Sequence, residues 1–136
     1  MDSIAEALQN APAGLSDYVL YLNDLLGGVH AIENPTEVFH QAFRFFEAHA
    51  GADLGVPGPL VHFLERFYPQ YIDELCASVA RKPTTYTVWM LNRVLNVELP
   101  QPTRERLVAL LRTVAANSVT EPDVRQQAER FLERQR

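Results

Sequence analysis

Residues 53–96 read DLGVPGPLVHFLERFYPQYIDELCASVARKPTTYTVWMLNRVLN, and this stretch decides the fold. After its Gly/Pro-rich opening, Leu60, Phe63, Leu64 and Phe67 recur at offsets of three and four, the spacing that lines side chains along one face of an α-helix. Ile72, Leu75, Cys76 and Val79 follow the same rule. Over residues 87–96 the apolar side chains wrap more than half a helix circumference, which marks a central helix and makes Trp89 a core anchor within it, with a hot-spot role at an interface as the alternative.

The same period continues outward in both directions. Leu15, Tyr18, Val19, Leu22, Leu25 and Leu26 form one stripe; Phe39, Ala42, Phe43 and Phe46 form a second; Leu107, Leu110, Leu111 and Val114 form a third. No segment alternates apolar and polar residues as a half-buried strand does, so the fold class is all-α. Punctuation sets the boundaries. Ser3 with Glu6, and Thr120 with Asp123, place a hydroxyl three residues before a carboxylate, as in a capping box, and Asn34-Pro35-Thr36-Glu37 is a similar start. Pro35, Pro69 and Pro102 suit first helical positions, while Gly27-Gly28 and Gly51 suit terminations. Eight helices are predicted, at 3–10, 15–27, 35–49, 58–68, 69–81, 84–96, 102–117 and 121–135. Phe39, Phe43, Phe46, Leu64, Phe67, Leu75, Trp89, Leu91 and Leu111 are the expected core.

Pro35, Pro69 and Pro102 stand 34 and 33 residues apart, and each opens a pair of helices. An amphipathic hairpin cannot bury its apolar face alone, so three such hairpins would stack and share a core, in the manner of a short HEAT-like solenoid. Asp123-Val124-Arg125 with Ala128 and Leu132 resembles the second helix of a HEAT unit. The alternative is an irregular helical bundle. In either case the 136 residues, 47% of them hydrophobic, are expected to form one domain spanning 1–136.

Charge narrows the function. Twelve Lys and Arg against seventeen Asp and Glu leave −5, which opposes attraction to nucleic acid or anionic lipid. The charge is also segregated. Residues 1–79 hold eleven acidic side chains against Arg44 and Arg66, and residues 80–136 hold ten basic against six acidic. Such polarity favours a basic protein partner, because complementary fields speed association and reject wrong partners. One cysteine precludes an internal disulfide, no apolar run approaches the ~20 residues that span a bilayer, and the N-terminus lacks a signal-peptide pattern. The expectation is a cytoplasmic protein without membrane association.

Catalytic chemistry is sparse. The histidines are His30, His40, His49 and His62, and Glu37 with His40 supplies half of a carboxylate-bridged di-metal pattern whose second Glu-x-x-His is missing. An enzyme built on Glu37, His40 and His62 would need those three to converge. Cys76 lies in an apolar stripe just after Asp73 and Glu74, where a thiolate is disfavoured, so it reads as a core thiol. Gly55-Val56-Pro57-Gly58-Pro59 lacks the Lys and Ser/Thr of a phosphate loop and reads as a rigid connection. No enzyme activity, metal or cofactor is expected.

Gly58-Pro59-Leu60-Val61, Lys82-Pro83-Thr84 and Trp89-Met90-Leu91-Asn92-Arg93, all within residues 53–96, resemble small all-helical immunity proteins of bacterial polymorphic-toxin and contact-dependent growth inhibition systems. The resemblance implies a cytoplasmic antidote that binds the C-terminal domain of one cognate toxin, often a nuclease, and covers its active site, as a monomer in a 1:1 complex. No contact residue carries over from the matched motifs. Charge and aromatic content instead nominate Asp17, Tyr18, Tyr21, Asp24, Glu33, Glu37 and Glu47 as toxin-binding candidates. The alternative function is a HEAT-like adaptor that holds an endogenous partner.

Overall fold

Helix-capping chemistry starts several of the elements. The computed structural model describes residues 3–29 and 32–135, and among these there are eight α-helices and no strand. They are α1 (Ser3–Gln9), α2 (Tyr18–Leu26), α3 (Pro35–Ala48), α4 (Pro59–Glu65), α5 (Ile72–Arg81), α6 (Thr85–Leu95), α7 (Gln101–Ala116) and α8 (Pro122–Arg134). Asn34 caps α3 as expected, its side-chain oxygen accepting from the Glu37 N–H at 3.2 Å. A full capping box opens α6: the Thr84 hydroxyl accepts from the Thr87 N–H and the Thr87 hydroxyl from the Thr84 N–H, each at 3.1 Å, with both residues buried.

Four starts depart from the sequence reading. Asp17 caps α2 by accepting from the Leu20 N–H at 2.9 Å, so that helix begins at Tyr18 instead of residue 15. Pro69 does not open α5. It sits in a run of tight turns, with the Phe67 N–H donating to Leu64, Gln70 to Phe67 and Ile72 to Pro69, and the α-helical ladder resumes only at Ile72. The Thr120–Asp123 pairing does not form, because the Thr120 N–H turns back to the Asn117 carbonyl while the Asp123 carboxylate accepts from Val124; α8 is preceded by Glu121, without a side-chain cap. Ser3 is already helical, and the preceding cap position lies outside the described residues.

The chain divides into two compact units, Met1–Glu74 and Leu75–Arg136, with the boundary inside α5. In the first unit α1 lies against α3 and α2 against α4, with α1 also touching α2. The α1–α3 and α2–α4 pairings each skip a neighbour in sequence, so this unit follows the irregular-bundle alternative. Its core is aromatic. Phe43 and Phe46 are fully buried with centroids 6.0 Å apart, and Tyr71 meets Phe39 at 6.4 Å and Phe43 at 6.3 Å. Each such pair contributes about 0.5–1.5 kcal/mol beyond its burial. Leu64 is buried with them, whereas Phe67, expected in the core, is only half-buried: it stands where the helix gives way to turns and leans on Phe63 at 5.3 Å and Phe39 at 5.9 Å.

In the second unit α6, α7 and α8 pack on one another, and α7–α8 forms the hairpin read from Pro102. Leu91, Leu107, Leu111, Val124, Ala128 and Phe131 are buried in this unit, and so are Leu75 and Cys76 on α5. Polar side chains clasp one end of the three helices. Arg104 donates to the Leu95 carbonyl at 3.0 Å and to the Gln135 side-chain oxygen at 2.6 Å, and the Gln135 amide donates to Asn92 at 3.2 Å and to Asn96 at 3.3 Å. Trp89 is not the buried anchor expected. The inward positions of α6 are Thr87, Val88, Met90, Leu91, Asn92, Val94 and Leu95, which leaves Trp89 half-buried on the outer strip with the Arg93 guanidinium 4.9 Å above its ring.

Candidate protein-binding surface

The unit boundary coincides with the charge boundary, because residues 75–79 are uncharged: Met1–Glu74 carries eleven acidic residues against two arginines, and Leu75–Arg136 ten basic against six acidic. Both arginines of the first unit serve internal contacts. Arg44 pairs with the buried Glu47 at 3.4 Å, and Arg66 donates to the Val29 carbonyl at 2.8 Å while lying over the Phe63 and Phe67 rings. The acidic groups therefore dominate the field of this unit.

Of the seven candidate contact residues, five have side chains a partner can reach. Asp17, Asp24 and Glu33 are exposed, and Tyr21 and Glu37 are half-buried. Asp17, Tyr21 and Asp24 follow one another at offsets of four and three, so they share a face of α2. The Tyr21 hydroxyl points to the Ala7 carbonyl of α1 at 3.5 Å. Glu33 precedes the Asn34 cap, and Glu37 lies in the first turn of α3, where a carboxylate complements the exposed helix amides.

The other two candidates are buried. Tyr18 donates its hydroxyl to the Pro12 carbonyl at 2.9 Å and sets its ring edge-on to Phe45 and 4.8 Å from His49. Glu47 is buried beside Arg44. Their side-chain types suit an interface, but Tyr18 packs against the end of α3 and Glu47 is buried on α3 itself, paired within that helix. His49, which ends α3, lies against the Tyr18 and Phe45 rings, and the loss of water there pushes its imidazole below the usual 6.5.

The remaining histidines are dispersed. His40 faces Glu74 at 3.5 Å, His62 faces Glu65 at 3.9 Å, and His30 lies outside the described residues. Glu37 and His40 lie one turn apart on α3, and His62 lies on α4. Among the described residues no three His, Cys, Asp or Glu side chains gather as metal ligands, and no helix is long and apolar enough to cross a membrane.

Among the described residues, Leu20, Val56, Tyr68, Val97 and Val119 are large apolar or aromatic side chains left exposed, and the sequence pattern singled out none of them. Leu20 is 57% exposed, one turn after Asp17 and one before Asp24. Its signal was present, since it falls off the stripe formed by Tyr18, Leu22 and Leu26. Val56 is 98% exposed in the turn between α3 and α4, and reading that turn only as a connector hid it. Comparison with known protein families, curated proteins and solved structures finds no match to this chain.

Proposed function

We propose that this chain is an immunity protein: it binds the C-terminal domain of a cognate bacterial toxin, a basic domain such as a nuclease, and neutralises it by occluding the active site in a 1:1 complex. The observation that carries the reading is the confinement of acidic excess to one compact unit, with Arg44 and Arg66 engaged inside it. A localised negative field raises the encounter rate with a cationic protein and disfavours neutral or acidic ones. The face of α2 bearing Asp17, Tyr21 and Asp24 mixes carboxylates with an aromatic ring, a composition suited to an interface. The resemblance of residues 53–96 to helical immunity proteins points the same way.

Co-expression of the chain with the toxin domain encoded beside its gene tests the reading. Restored growth, together with a complex whose association slows when Asp17, Asp24, Glu33 and Glu37 are reversed to Lys and whose affinity falls with added salt, is the expected result. Continued toxicity with no complex at low salt would overturn it.

A further inference from the structure

The segment between α3 and α4 is built to hold one apolar side chain in solvent. Leu54 and Leu60, both 1% exposed, root its two ends in the first unit, and Val56 between them is 98% exposed. The turn has little freedom to fold that side chain away. Asp53 accepts from the Gly55 N–H at 2.9 Å, and Gly55 and Gly58 adopt φ of 103° and 97°. The two strands of the turn touch, so that a Cβ on Gly58 would overlap the Leu54 carbonyl oxygen and lie 3.0 Å from the Gly55 Cα. Pro57 fixes a further backbone angle. A side chain presented in one conformation loses little entropy on binding.

Two contacts set this turn at the same end of the unit as the acidic start of α2. The Tyr18 ring at the start of α2 lies 4.8 Å from His49 at the end of α3, and the chain runs from His49 into the turn within a few residues. At the other end, Arg66 after α4 bonds to Val29 after α2 at 2.8 Å, and α2 packs on α4, so the amino ends of these two helices share a side. Exposed at that end are Asp53 in the turn itself, three residues from Val56, and Asp17 and Leu20 at the start of α2. An apolar knob among carboxylates fits a concave site whose floor is apolar and whose rim is cationic. We propose that Val56 is the anchor by which this protein enters the substrate cleft of its basic partner domain, with Asp17 and Asp53 against the cleft's rim. This rests on the proposed function and names the surface that performs it.

The test measures association and dissociation rates of the full chain with the toxin domain encoded beside its gene, at two salt concentrations. Val56→Ala removes two methyl groups from a solvent-exposed position and should leave the melting temperature unchanged. The expected result is affinity reduced about tenfold through faster dissociation, with the salt dependence of wild type retained; Val56→Ser should weaken binding at least as far. Wild-type binding that both variants reproduce overturns the anchor while leaving the immunity function standing. Absence of binding and of protection by the wild-type chain removes the function and the anchor with it.

Discussion

Replacing Gly58 by Ala measures how tightly the turn before α4 is closed. Gly58 has φ 97° and ψ 171°, a region essentially reserved for glycine, where another residue is strained by about 1–3 kcal/mol. Its Cβ would also overlap the Leu54 carbonyl oxygen and come within 2.8 Å of the carbonyl carbon, and Leu54 is rooted in the core. The backbone must open to relieve that contact. Together these put the destabilisation at roughly 3–5 kcal/mol. For a chain of 136 residues, at about 3–5 °C per kcal/mol, the melting temperature should fall by roughly 9–25 °C. Gly51→Ala is the control: a Cβ there meets nothing within 4 Å, and its effect should lie between neutral and about 1 kcal/mol stabilising. Thermal and urea unfolding followed by helical circular dichroism would report both. Equal melting temperatures for the two variants would refute the reasoning, because the turn would then be able to relax without cost.

The Thr84–Thr87 box gives a second expectation. Either residue changed to Ala should lose about 1–2 kcal/mol, and the double variant clearly less than the sum, since each hydroxyl caps the other's amide; strict additivity in urea unfolding would argue against a reciprocal box. His49 supplies a pH dependence. Its folded-state affinity for protons is depressed by burial, so the unfolded chain, titrating near 6.5, takes up protons that the folded chain does not. That contribution to stability is complete above about pH 6.5 and is lost as pH falls below it. His49→Phe, which keeps a ring between Tyr18 and Phe45, should shrink the drop in melting temperature between pH 7.5 and 5.5; an unchanged drop would place the acid sensitivity elsewhere.

Local pattern carried the helices almost entirely. Periodicity and capping patterns together located all eight, and Asn34 and Pro35 gave the start of α3 because a cap and its first turn are encoded in adjacent residues. Where neighbours in sequence were not neighbours in bonding, the reading slipped. Pro69 suits a helix start by its own chemistry, yet the turns from Leu64 to Ile72 depend on how Phe67 and Tyr71 seat against Phe39. The binding surface was legible as charge and illegible as shape. Tyr18 and Glu47 look like interface residues by type, and only the packing of α2 and α3 assigns them to the interior. Trp89 shows the converse: all seven inward positions of α6 are filled by residues smaller than Trp, while Trp89 and Arg93, a turn apart, face outward together. Val56 needed the backbone angles of its flanking glycines before its exposure meant anything.

Cys76, the single cysteine of the chain, is 5% exposed within α5, the helix in which one compact unit ends and the next begins. A maleimide or disulfide reagent added under native conditions can reach its sulfur only in molecules where that helix has momentarily frayed. The labelling half-life is therefore a clock for local opening of this helix, built in without any engineered probe, and slower labelling in the presence of a partner would mean that the partner either steadies the helix or covers the thiol.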